Sequence, residues 1–123
     1  MTSEVITVPS FATSADGVEH FFGTRLSVLP MTPGRASGPR SRHRERAATV
    51  MLSVKQVHGT DALVVDHPVE QGQVFEGGWD ALVTDQAGVM VSVRTADCVP
   101  VLLHDPVRRV VAAIHAGWRG AVA

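Results

Sequence analysis

The sequence predicts a small β-rich domain built from short strands with short connections. Segments rich in Val and other apolar residues recur along the chain, and turn-forming residues separate them. The long helical segments that alternate with strands in parallel βαβ repeats are missing from the pattern. With 123 residues, 45% of them hydrophobic, the chain is long enough for a packed core. We therefore expect residues 1–123 to form a single domain.

Eight segments have the composition of strands. A short helix is predicted to precede the third of them, from residue 42 onward, and the start of another helix is predicted at 116–123. The predicted strands are residues 4–11, 18–25, 50–57, 62–66, 81–85, 89–95, 99–105 and 109–115.

Residues 29–46 differ from this pattern. They contain three prolines and five of the eleven basic residues, and most of the segment has neither strand nor helix periodicity. We expect a loop or linker here. The Arg-rich part, residues 35–46, has no interleaved aromatic residues. A solvated segment is therefore favoured over one that binds RNA or another anion.

The last two strands predict a hairpin. Residues 105–108, "DPVR", have the Asp and Pro of a type I turn. Pairing Asp105 with Arg108 would place Cys98 directly opposite His115, on one face of the hairpin. Type I turns suit two-residue hairpins poorly, however, and a bulge near the turn would shift this register by one residue.

Cys98, His115 and His58 are candidate metal ligands. Each comes near the end of a predicted strand, and two His with one Cys form a known catalytic zinc set that leaves a fourth position open. The same ligands suit copper. A small buried thiol at Cys98 and a core histidine at His115 are the structural alternatives.

The segment "HAGWRG" and the residue before Cys98 offer further candidates. Gly117 and Gly120 permit close backbone approach, and Arg119 at the start of a helix is suited to holding an anion. A plain strand-to-helix turn with a surface arginine explains the segment equally well. Asp97 is a candidate for orienting a ligand or for acid–base chemistry, or for capping a turn.

The overall charge and the cysteine content restrict the class of protein. A net charge of −1 gives no electrostatic reason to expect nucleic acid or anionic membrane as a partner. One cysteine cannot form an intrachain disulfide, and the N-terminus lacks a signal-peptide pattern. We expect a cytoplasmic protein.

Four motifs together resemble the YfiH, or laccase-domain, family of polyphenol oxidase-like proteins. They occur in the family's order, and "HFFGTR" (20–25) is similar to its N-terminal strand. The motifs are "KQVHG" (55–59), "WDALVT" (79–84), "TADCVPVLLHD" (95–105) and "VAAIHAGWRGA" (111–121).

This resemblance implies an α+β fold, with a mixed, mostly antiparallel sheet flanked by helices. It implies zinc at His58, Cys98 and His115, with copper as the alternative cofactor. The implied activity is phosphorolysis of adenosine, inosine, guanosine and S-methyl-5′-thioadenosine, together with deamination of adenosine. Arg25 matches an arginine position of the family and, with Arg119, is a candidate for binding phosphate or substrate.

The sequence departs from the family pattern in two places. Residues 26–46 differ from the family's usual segment, and family chains continue well beyond "HAGWRG". We therefore expect only the N-terminal part of the fold, with a homo-oligomer or a complementing chain as possible ways to complete it. A copper-dependent oxidase, a metal-free hydrolase with Cys98 as nucleophile and His115 as base, and an inactive fragment remain alternatives.

Overall fold

The structure is a computed structural model that describes residues 5–6, 18, 20–23 and 50–123. The chain divides into two units, Met1–Ala47 and Ala48–Ala123. In the first unit, β1 (Val5–Ile6) pairs antiparallel with β2 (Phe22–Gly23), and both lie within predicted strands. The predicted linker at 29–46, the helix from residue 42 and the candidate Arg25 lie outside the described residues. Whether the whole chain is one domain stays a prediction.

The second unit is mostly β-structure. Its elements are β3 (Val50–Leu52), β4 (Ala62–Val65), β5 (Ala81–Thr84), β6 (Val89–Val91), β7 (Val99–Asp105), β8 (Val110–Ala116) and α1 (Trp118–Val122). The central sheet has the order β4–β5–β8–β7, with β4 parallel to β5 and the other two pairs antiparallel. A separate parallel pair joins β3 and β6. The mixed, mostly antiparallel character is therefore confirmed.

The one helix in the described part of the chain is α1, which has five residues. Apart from α1, the flanking helices that the family resemblance implies stay a prediction. Within the same described residues, no helix is long and apolar enough to cross a membrane.

Two predicted strands end four or five residues earlier in the structure. The third ends at Leu52 rather than Val57, and the sixth ends at Val91 rather than Thr95. Near these points, side-chain hydrogen bonds add to the backbone bonds that join the two segments. Both the backbone N–H and the hydroxyl of Ser92 donate to the Leu52 carbonyl, at 3.1 and 2.9 Å.

The β7–β8 hairpin is confirmed, but its predicted register is wrong. Asp105 pairs with Val110, and His115 lies opposite Pro100 instead of Cys98. The loop therefore has four residues, ending at Arg109 in the left-handed region with φ 58°. Asp105 Oδ1 accepts hydrogen bonds from the N–H groups of Val107 and Arg108, at 2.9 and 3.0 Å, which stabilises this longer loop.

The hydrophobic core lies where β3, β4 and β5 meet. Leu52, Val65 and Leu82 are almost fully buried and pack against one another. Along β5, alternate residues are buried, as expected for a strand with one covered face. The second buried position is Thr84, whose hydroxyl donates to the Val65 carbonyl at 2.7 Å. This bond satisfies a polar group that would otherwise destabilise the core.

Candidate metal site

Three candidate ligands converge in the structure. One ligand atom from each of His58, Cys98 and His115 lies within 4.8 Å of the other two. The two imidazole rings meet edge to face, with centroids 4.9 Å apart. His115 is buried, Cys98 is half-buried and His58 is exposed, so the cluster opens to solvent on one side. A thiol and two imidazoles with an open side have the composition of a catalytic metal site.

The hairpin explains why the cluster forms despite the changed register. The observed register differs from the predicted one by two residues, and side chains alternate between faces with a period of two. Cys98, one residue before β7, therefore stays on the face of Pro100 and of its partner His115.

A side-chain bridge aligns the segments that lead to His58 and Cys98. The amide of Gln56 donates to the Arg94 carbonyl at 2.7 Å and accepts from the Arg94 N–H at 2.8 Å. This pair of hydrogen bonds imitates a backbone ladder beyond the ends of β3 and β6. Both segments therefore reach the site side by side.

His58 has an unusual backbone conformation. Its φ is 59°, in the left-handed region that few non-glycine residues adopt. Such conformations persist only where surrounding contacts enforce them. The contacts here come from Asp80, which is buried. Its carboxylate accepts hydrogen bonds from the N–H groups of His58 at 2.9 Å, Gly59 at 2.7 Å and Val57 at 3.3 Å.

Asp80 also contacts the second histidine. Its Oδ1 lies 2.8 Å from Nδ1 of His115, and both side chains are only 3% exposed. The backbones are joined as well, because the His115 N–H donates to the Asp80 carbonyl at 2.7 Å. Asp80 thus connects the loop of His58 to β8.

Hydrogen bonding keeps Asp80 ionised. Burial by itself raises the pKa of this carboxyl group, but the bonds from His115 and from the N–H groups of Gly59, His58 and Val57 lower it further than burial raises it. The net pKa lies below the ordinary value for aspartate. An ionised carboxylate only accepts hydrogen bonds, so Nδ1 of His115 carries the proton in their contact.

Two glycines allow the chain to close around the cluster. A Cβ atom at Gly117 would lie 3.3 Å from Sγ of Cys98 and 3.5 Å from a ring carbon of His58. At Gly120 it would lie 2.6 Å from the carbonyl oxygen of Gly59. The close backbone approach expected at both glycines is present in the structure.

An open cavity of about 340 Å³ adjoins Cys98. Ligand pockets commonly range from about 300 to 1,000 Å³. Asp97 is exposed on its wall, next to Cys98, and Trp118 and the first β7 residue, Val99, also line it. The guanidinium of Arg119 lies 5.5 Å from the centre of the Trp118 ring. The structure therefore brings Asp97 to the site and places Arg119 over Trp118, but Arg119 itself is not a lining residue of this cavity.

Asp80 is the residue that the sequence analysis missed. It appeared only as part of the motif "WDALVT", without a role. A carboxylate directly before a short apolar strand was the available signal. It was not specific, because the partners of Asp80 are 21–35 residues away in the sequence.

Residues 38–123 match the sequence profile of the family described as multi-copper polyphenol oxidoreductase laccase. The chain belongs to this family. The laccase-domain assignment drawn from the four motifs is therefore confirmed.

Several relatives in the laccase-domain family are named purine nucleoside phosphorylase. One from Streptomyces coelicolor is 45% identical over 93 residues, covering 76% of this chain and 37% of the relative. One from Deinococcus radiodurans is 36% identical over 121 residues, covering 85% of this chain and 46% of the relative. A third relative, from an unknown prokaryotic organism, is named adenosine deaminase RL5 and is 40% identical over 77 residues. The chain thus spans less than half the length of these proteins.

A solved structure shows the same fold over part of the chain. YlmD from Geobacillus stearothermophilus matches with a TM-score of 0.52 and 33% sequence identity. The match covers 61% of this chain and 30% of YlmD.

Proposed function

We propose that this chain is a zinc-dependent purine nucleoside phosphorylase that also deaminates adenosine. The observation that carries the proposal is the convergence of His58, Cys98 and His115 in a chain whose relatives bear the names of these two activities. The proposed substrates are phosphate with adenosine, inosine, guanosine or S-methyl-5′-thioadenosine. The proposed location is the cytoplasm.

The donor atoms fit zinc. One thiolate and two neutral imidazoles would hold the ion, and the exposed side of His58 would leave a position for water or substrate. Zinc bound there would supply a Lewis acid that activates water for deamination. The described residues contain one such group of three ligands, and a group of this size would bind one ion. This favours zinc over the multicopper centre that the family's description suggests.

The other proposed groups are one residue of the wall of the cavity beside Cys98 and two arginines. Phosphorolysis exchanges the bond between ribose and purine for a bond between ribose and a phosphate oxygen, and the departing purine nitrogen takes up a proton. Asp97 on the cavity wall is the proposed acid–base group for this proton transfer. Arg119 is the proposed phosphate ligand, and Arg25 has the same proposed role.

The test is release of hypoxanthine from inosine by the purified full chain, supplied with zinc, with and without phosphate. We expect phosphate-dependent release that a chelator abolishes. His58→Ala should remove it, whereas His67→Ala should not, since His67 is exposed and contacts Asp66. No release by this chain, under conditions where a full-length relative is active, would refute the proposal.

Two other results would favour a different function for this chain. Activity that survives the chelator but not Cys98→Ala would indicate a cysteine hydrolase. Stoichiometric copper after purification without added copper, together with oxidation of phenols, would indicate an oxidase.

A further inference from the structure

Asp80 is fully occupied by hydrogen bonds. Oδ1 accepts from the His58 N–H and from Nδ1 of His115, and Oδ2 accepts from the N–H groups of Gly59 and Val57. Four bonds use the roughly four lone-pair directions of a carboxylate. Asp80 therefore has no free lone pair for an ion, although it lies beside two of the three candidate ligands.

The contact with His115 selects one form of its ring. A neutral imidazole carries one proton, and the carboxylate accepts it from Nδ1. Nε2 is then the nitrogen with a free lone pair. A ring held by a carboxylate through one nitrogen and presenting the other is the arrangement that orients histidine ligands in metal proteins.

The contact with the His58 loop fixes the other imidazole. Three successive N–H groups converge on the same carboxylate, and His58 is held at φ 59° in their middle. Without these bonds, the loop would be held by the flanking backbone bonds from Trp79 to Lys55 and from Asp80 to Asp61, and the left-handed conformation of His58 would lose the contacts that compensate its cost. The His58 side chain would then lose its fixed direction toward Cys98.

We propose that Asp80 is the positioning residue of this site, which selects the Nδ1–H form of His115 and fixes the backbone of His58, so that both rings face Cys98. Asp80 contacts no metal or substrate in this role. That Asp80 positions metal ligands rests on the proposed function. The proton position on His115 and the backbone contacts of His58, in contrast, can be tested in the metal-free chain.

The first experiment uses the metal-free wild-type chain and needs no variant. Nitrogen NMR of the histidine rings, at a pH where imidazole is neutral, reports which ring nitrogen carries the proton. We expect His115 to be protonated on Nδ1, the less common form for a free imidazole. A proton on Nε2 of His115 would overturn the proposal.

The second experiment measures binding of Co²⁺, a spectroscopic probe for zinc sites, through the thiolate absorption band. Asp80→Asn should weaken binding by about 10- to 100-fold, the usual effect of losing such a partner. It should also shift the proton of His115 away from Nδ1.

Asp105→Asn is the matched control, because Asp105 also accepts two backbone N–H bonds but lies at the far hairpin loop. Its Co²⁺ affinity should equal that of the wild type. Unchanged affinity in Asp80→Asn, with a folded chain, would contradict the proposal. A wild-type chain that binds no Co²⁺ would refute the metal site. The proton position on His115, measured in the first experiment, would then by itself decide whether Asp80 orients this ring.

Discussion

Replacing Gly120 with Ala tests how closely α1 approaches the loop that carries His58. The added Cβ would lie 2.6 Å from the carbonyl oxygen of Gly59, whereas ordinary contacts begin at 3.4 Å. The two atoms must therefore separate by about 0.8 Å. Because the contact is with backbone, no flexible side chain can move aside.

Two effects of opposite sign determine the change in stability. Overpacking a closed contact costs about 1–3 kcal/mol. Ala in place of Gly within a helix gains about 1 kcal/mol. We expect the free energy of unfolding of Gly120→Ala to fall by up to about 2 kcal/mol, since the steric cost exceeds the helical gain.

Urea denaturation of the full chain measures this difference. Gly59→Ala is the control, because its Cβ would meet only ordinary contacts, at 3.6 Å from Asp80 and 3.7 Å from Val57. That variant should stay close to the wild type. A Gly120→Ala chain that is more stable than the wild type by about 1 kcal/mol would show only helix propensity, and the close approach would be refuted.

Three further predictions concern the core, pH and metal. Leu82→Ala should lower the free energy of unfolding by about 2–5 kcal/mol in a urea titration, because Leu82 is completely buried. Val64→Ala should cost far less, because Val64 is 60% exposed, and equal losses would contradict the core assignment. The lowered pKa of Asp80 means that the folded chain holds this proton more weakly than the unfolded chain. Its contribution to stability is thus complete above the ordinary carboxyl pKa and is lost as pH falls through the lower folded pKa, so Asp80→Asn should flatten acid unfolding curves. Zinc at 100 times its Kd should stabilise the wild type by about 2.7 kcal/mol, seen as a higher Tm, and Cys98→Ser should reduce the shift. A shift of equal size in Cys98→Ser would argue against thiolate ligation.

The candidate ligands could be chosen from the sequence, since they depend on residue type and local pattern. A thiol and two imidazoles near strand ends, together with specific motifs, indicated His58, Cys98 and His115 before any distance was known. The hairpin strands were also recognisable, because alternation and turn residues are local signals.

The sequence left the register undetermined. A four-residue loop with Arg109 in the left-handed region replaced the expected two-residue turn. The ligand prediction survived because a shift of two residues preserves the face of each side chain, whereas a shift of one would have separated Cys98 from His115.

By itself, the sequence determined the family, the strand segments and the chemistry of the donor atoms, since each is a property of nearby residues. Only the tertiary structure assigned a place to Asp80. Its carboxylate collects N–H groups from the His58 loop and the ring of His115, and these meet only when β5 pairs with β8 and the loop folds over both. Hydrogen bonds between distant segments leave no periodic pattern in a sequence, so only the folded chain reveals how two histidines are held toward one thiol.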